Sequence, residues 1–171
     1  MSYQPSVIVI GLGNPLRGDD GIGWNAVDQI AESIKSIGLE FIKCRELMPE
    51  LSEKISKAKY VLFLDAAVDT GNGEIAESQI NPSENYPSLE THQLDPAGLL
   101  AFSKALFGRT PHAVILTVSG GSFEYYEGLS EKAHAGVQLL VKRACEIISN
   151  WSGKQRKSCA DAGCQLINNL D

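Results

Sequence analysis

The chain reads as a single α/β domain: a mostly parallel, twisted sheet of about five strands with helices on both faces. Three observations predict this. Val7-Ile8-Val9-Ile10, Tyr60-Val61-Leu62-Phe63-Leu64 and Ala113-Val114-Ile115-Leu116-Thr117-Val118 are apolar runs without alternation, the pattern of strands buried on both faces. Segments of helical periodicity separate or follow them. Glycine- or aspartate-bearing segments follow each run, so turns gather at the strands' carboxyl ends.

Taken in order, Gly11, Gly13, Asn14 and Pro15 are expected to break the first strand after Ile10, and Gly18 permits a second tight bend. Asp19 or Asp20 then caps a helix whose apolar stripe is Ile22, Val27, Ile30, Ile34 and Ile37, with Gly38 as its stop. Leu39–Cys44 is a second strand. A short helix opens around Pro49 and runs through Ile55 and Ala58. The Tyr60 strand ends on Asp65, at the position where open α/β sheets bind ligands. After Gly71-Asn72-Gly73, residues Glu74 to Ile80 form an edge strand, and 81–90 an exposed loop. Asp95-Pro96 starts a helix that packs through Leu99, Leu100, Phe102, Ala105 and Leu106 before Gly108. The strand from His112 ends at Gly120-Gly121-Ser122. A last helix from Ser130 buries Ala133, Val137, Leu140, Val141, Ala144, Ile147 and Ile148, with His134 on its surface. The domain is expected to span 1–151, with a polar tail over 152–171.

Composition excludes several functions. The net charge of −6 leaves no basic stripe for nucleic acid. No apolar run approaches the roughly 20 residues of a membrane span, and Met1–Ser6 has no charged, leader-like start, so a cytoplasmic location is expected. The four cysteines make no zinc pattern: Cys44 and Cys145 read as small buried hydrophobes, and Cys159 and Cys164 stand in the tail without a partner pair. No G-x-S-x-G surrounds Ser122 and no H-E-x-x-H occurs, which argues against a serine hydrolase and a resident-zinc protease.

The glycine-rich loop is no dinucleotide fingerprint. Leu16 stands where the third glycine belongs, and Asp19 and Asp20 occupy the helix start that a pyrophosphate would need bare. Carboxylates there repel phosphate and attract a cation. Asp20 after the first strand, Asp65 at the end of a central strand and His92 in a loop can meet at one rim. Such an O,O,N set suits Ni, Mn, Fe or Zn.

The ordered set Gly11-Leu-Gly-Asn14, Asp19-Asp20-Gly21-Ile22-Gly23, Asp65-Ala66, Thr91-His92-Gln93-Leu94 and Gly120-Gly121-Ser122-Phe123-Glu124 with Glu127-Gly128-Leu129 resembles the maturation peptidases of NiFe hydrogenases. The resemblance spans Val7 to Ile148. It implies an aspartyl-type endopeptidase that removes a C-terminal extension from the large-subunit precursor. Asp20, Asp65 and His92 would be both the catalytic set and the metal set, reading a nickel ion that arrives with the substrate. The ion could polarise the scissile carbonyl or acidify a water, or Asp20 could act as general base. Loose affinity for free metal and a monomeric state are further expectations. Cys44-Arg45-Glu46-Leu47-Met48-Pro49-Glu50-Leu51 replaces an Asp-Gly-Gly-Thr-type segment common in the family and looks closer to the bidirectional, NAD-linked hydrogenase branch. A non-cleaving module that binds the nickel-loaded precursor would use the same three residues. Peptidyl-tRNA hydrolases also open on a buried strand and Gly-Leu-Gly-Asn-Pro, but they need an early catalytic His and a basic face, both missing here.

Overall fold

A computed structural model describes residues 5–36, 38–68, 75–84 and 94–152. The expectations that fall on Ile37, Gly71–Glu74, residues 85–90, His92 with its neighbours Thr91 and Gln93, and the tail with Cys159 and Cys164 lie outside those residues.

Five strands form one sheet in the order β2-β1-β3-β5-β4: β1 Val7–Leu12, β2 Leu39–Cys44, β3 Tyr60–Val68, β4 Ile75–Ile80 and β5 His112–Gly120. All neighbours are parallel except β4, an antiparallel edge strand on β5. The alternate faces of the central strands feed two cores. Val7, Val9, Leu62, Leu64, Val114, Leu116 and Val118 pack under α1 (Ile22–Ser33) and α4 (Glu131–Trp151). Ile8, Ile10, Leu12, Val61, Phe63 and Ala113 pack with α2 (Leu51–Ser56) and α3 (Pro96–Phe107). The chain moves outward from β1 through α1 to β2, then back across β1 through α2 to β3. These opposite directions require helices on opposite faces if both crossovers are right-handed, and the two cores place them so. The point where the direction reverses lies between β1 and β3.

The structure corrects four local expectations. β1 continues through Gly11 and Leu12, because both residues find partners in β2, Lys43 and Cys44, and Gly11 also pairs with Leu64 of β3. β3 likewise runs on past Asp65 to Val68, since β5 supplies partners as far as Gly120. α1 ends at Ser33, with Ile34 already extended, and Gly38 (φ +100°) leads into β2 instead of stopping the helix. In α3, Leu99 and Leu100 are buried, but Ala105 and Leu106 are exposed. The ends of that helix form as expected: the Asp95 side chain accepts from Gly98 N–H at 2.7 Å, and Gly108 closes it in the left-handed region. Cys145 is buried, Cys44 is half-buried, and both are free thiols. No helix among the described residues is long and apolar enough to cross a membrane.

Glycine at 23 sets how close α1 comes to the sheet. A Cβ there would strike the carbonyl oxygens of both Leu12, at the carboxyl end of β1, and Leu64, within β3. Gly23→Ala is expected to cost roughly 3 kcal/mol, as overpacking against backbone does. Gly108→Ala, where nothing lies within 4 Å, is expected to cost only about 1 kcal/mol, for its left-handed backbone. Urea denaturation of the two variants checks this ranking.

Candidate active site

The β1–β3 ladder stops at Gly11–Leu64, whereas the β3–β5 ladder continues to Val68–Gly120. From Asp65 onward, β3 has therefore lost β1 as a hydrogen-bonding neighbour. The space so opened lies past the strands' carboxyl ends at the reversal between β1 and β3. Open α/β sheets hold ligands in this crevice.

The loop after β1 enters it. Asn14 accepts from Leu16 N–H through its own side chain at 3.1 Å, and Gly18–Gly21 form one turn of 3-10 helix before α1. Neither aspartate caps a helix, contrary to the sequence expectation: the residue before α1 is Gly21, with no side-chain cap. In a three-residue turn successive side chains point about 120° apart, and the two carboxylates serve different ends.

Asp19 is fully buried. Its Oδ2 accepts from Gly121 N–H (2.6 Å), Ser122 N–H (3.0 Å) and the Ser130 hydroxyl (2.7 Å); its Oδ1 accepts from Ser130 N–H (2.8 Å). Asp19 N–H in turn donates to the Ser122 carbonyl at 2.9 Å. Burial alone would raise its pKa, but the four donors outweigh it and hold the carboxyl below the usual value. Asp19 is thus a tie between the β1 loop, the β5 loop and the start of α4, where the Ser130 hydroxyl also accepts from Ala133 N–H.

Asp20 is half-buried and accepts from Asn14 N–H through Oδ2 at 2.8 Å. That contact requires the loop to fold back at Gly13 (φ +114°), where a Cβ would collide with the Asp20 carbonyl. Asp65 is half-buried, and Ala66 N–H donates to its Oδ1 at 2.8 Å. Burial pushes the Asp65 carboxyl up to about 6; the Ala66 hydrogen bond opposes this, and the negative charge of Asp20 adds to it. That last effect puts the two carboxylates within electrostatic reach of each other. Cys44 pairs with Leu12 at the end of β1. Burial, with help from the Asp65 charge, raises its thiol.

The structure thus brings together two of the three residues singled out in the sequence. His92 lies outside the described residues. Its neighbour two places on, Leu94, forms an isolated antiparallel bridge with Leu47, three residues past the carboxyl end of β2. Among the described residues no group of three His, Cys, Asp or Glu side chains is arranged to hold a metal ion. The sequence reading missed the tie at Asp19, whose four acceptor contacts are to residues 102 to 111 positions away. Two adjacent acids opening a helix were the available signal, since one cap is enough.

Solved structures share this fold over most of their length. The hydrogenase maturating endopeptidase HybD from E. coli is 22% identical over 84% of this chain and 92% of its own, with a TM-score of 0.67. The NiFe hydrogenase maturation protease HycI from Thermococcus kodakarensis is 25% identical over 87% and 96%, with a TM-score of 0.68. A hydrogenase 2 maturation peptidase from a Thaumarchaeota archaeon is 23% identical over 84% and 97%, with a TM-score of 0.63. No protein-family model and no curated protein matches the sequence.

The opposite pKa shifts of the two buried-side acids yield opposite stability profiles. Asp19, lowered when folded, stabilises the fold above its unfolded pKa near 3.9 and loses that contribution as pH falls. Asp19→Asn should therefore cost roughly 2–4 kcal/mol at pH 7, with the deficit shrinking below pH 4. Asp65, raised to about 6, contributes fully below its unfolded pKa and loses that contribution as pH rises through 6. Asp65→Asn should therefore be more stable than the parent by roughly 2 kcal/mol at pH 8, with no gain near pH 4. Chemical denaturation at pH 4, 6 and 8 reads both.

Proposed function

We propose that this protein is an endopeptidase that removes a C-terminal extension from the nickel-loaded large-subunit precursor of a NiFe hydrogenase. What supports this reading is the electrostatic coupling of Asp20 with Asp65, on a fold shared, over 84% and 87% of the chain, with hydrogenase maturation proteases. Asp20, Asp65 and His92 are proposed as the site, and the cytoplasm as its place of action. The Leu47–Leu94 bridge supports the inclusion of His92, because it ties the chain just beyond that residue to the β2 end of the same rim.

The donor chemistry suits a cation that comes with its substrate. The Asp65 carboxylate, whose ionised form the charge of Asp20 disfavours, is relieved by a nearby positive charge, and oxygen donors with one imidazole accept nickel. Nickel in the precursor would supply Lewis acidity at the scissile carbonyl. The chain's own residues do the rest. Asp20, oriented by Asn14 N–H, is placed to take a proton from the attacking water as general base. Asp65, fixed by its hydrogen bond from Ala66 N–H, is proposed as the second carboxylate that meets the cation. The half-buried rim limits water around both.

Incubation of a nickel-loaded large-subunit precursor with this protein, followed by intact-mass spectrometry, tests the proposal. Loss of a C-terminal fragment is expected, with the rate falling at least 100-fold in Asp20→Asn. A precursor that binds and keeps its full mass would replace the peptidase by a non-cleaving module that recognises the same substrate.

A further inference from the structure

Several large apolar side chains that stand exposed among the described residues lie just past, or at, strand carboxyl ends: Leu16, Met48, Val68, Tyr125 and Tyr126. They follow or close strands on the side of the sheet where Asp20 and Asp65 also lie. Tyr125 is the most open, at 80%. Exposed aromatic residues on a mobile loop would mean little; these are held in place. Gly18 N–H donates to the Tyr126 carbonyl and Asp19 N–H to that of Ser122, both at 2.9 Å, so the loops after β1 and β5 are laced together by backbone. The Tyr126 ring covers Gly18 so closely that a Cβ there would lie 2.6 Å from it. The buried Asp19 carboxylate adds four further hydrogen bonds between the same segments.

On this braced base the Arg17 guanidinium lies over the Tyr125 ring, 5.1 Å from its centroid. Arg17 is exposed and makes no ion pair among the described residues. Its carbonyl accepts from Asp20 N–H at 3.1 Å, so this pair stands one turn from the site carboxylate. Rigid Tyr and Arg side chains supply contact area at low entropic cost and dominate protein interfaces.

We infer that Leu16, Arg17, Tyr125 and Tyr126 form a docking ledge for the extended peptide segment of the precursor beside the bond to be cut. The inference rests on the peptidase reading and extends it. In a chain of net charge −6, whose site is itself acidic, Arg17 is the ledge's cation. It fits a backbone carbonyl or terminal carboxylate of the bound peptide, while the Tyr125 ring and Leu16 fit an apolar side chain next to it.

Precursor capture and precursor cleavage, measured separately, test the ledge. Capture uses the nickel-loaded precursor on a biosensor; cleavage uses initial rates at varied precursor concentration. Arg17→Ala and Tyr125→Ala are each expected to weaken capture and raise KM roughly tenfold, with kcat and thermal midpoint unchanged. Tyr125→Phe should keep the parent's affinity, because the ring and not the hydroxyl makes the contact. Leu139→Ala, at an exposed position on α4, should change neither readout. A double Arg17→Ala, Tyr125→Ala variant that is folded and binds like the parent overturns the ledge and leaves the peptidase standing. Capture without cleavage by the parent overturns the peptidase, and the same variants then decide the ledge on capture alone. A parent that captures no precursor overturns both.

Discussion

The buried Asp19 carboxylate is the interaction on which the rest of the site depends. One charged group, fully removed from solvent, receives two backbone N–H groups of the β5 loop and both donors of Ser130 at the start of α4. A carboxylate so placed is expensive unless every lone pair is used, and a partly satisfied one is worse than none. Four donors meet that demand. In return, three segments far apart in sequence acquire a fixed mutual position, and the next residue along the chain is Asp20. The chemistry proposed for Asp20 needs accuracy within a fraction of an ångström, which a free glycine-rich loop would not provide.

Sheet topology supplies the second half of the site. Asp65 comes from a strand and is set by the parallel ladder with β5, as rigid a support as the fold offers. Asp20 comes from a braced loop. Their meeting follows from the reversal of strand order between β1 and β3, and from α1 settling directly on those strands at Gly23. The two acids then differ because their surroundings differ. Asp19 has donors enough to stay charged, whereas Asp65 has a single backbone donor, substantial burial and a like charge nearby. The same residue type is thus held ionised at one position and pushed toward protonation at the other.

Much of this was legible in the sequence where the signal is local. Non-alternating apolar runs gave the central strands, and Asp95-Pro96 with Gly108 gave both ends of α3. Asp65 was singled out because a charge closing a buried strand stands where open α/β sheets bind ligands. What stayed hidden depends on partners far along the chain. Nothing near Asp19 distinguishes a helix cap from an anchor whose donors lie beyond residue 120. The strands outlast their apolar runs because pairing, not hydrophobicity, decides where a ladder stops: Gly11 and Ala66 are strand residues only because neighbours await them. Leu106 is exposed although it fits the helical stripe, because periodicity alone does not say what packs against a helix's last turn.

The adjacency of Asp19 and Asp20 carries a consequence for how such a site is built. A 3-10 turn separates neighbouring side chains by about a third of a rotation, so a two-residue acidic pair can face a buried anchorage and a ligand crevice at once. Any force on Asp20 from a bound cation is then passed through one peptide unit to a carboxylate with four hydrogen bonds, and onward to the loop that carries Tyr125 and Tyr126. Substrate contacts at the rim and cation contacts at the crevice therefore bear on the same braced unit. Low affinity for a free ion is part of the proposed reading, in which the cation comes with its substrate. Recognition then requires the ion and its polypeptide to arrive as one object, which a protein that acts on finished, metal-loaded precursors requires of its binding site.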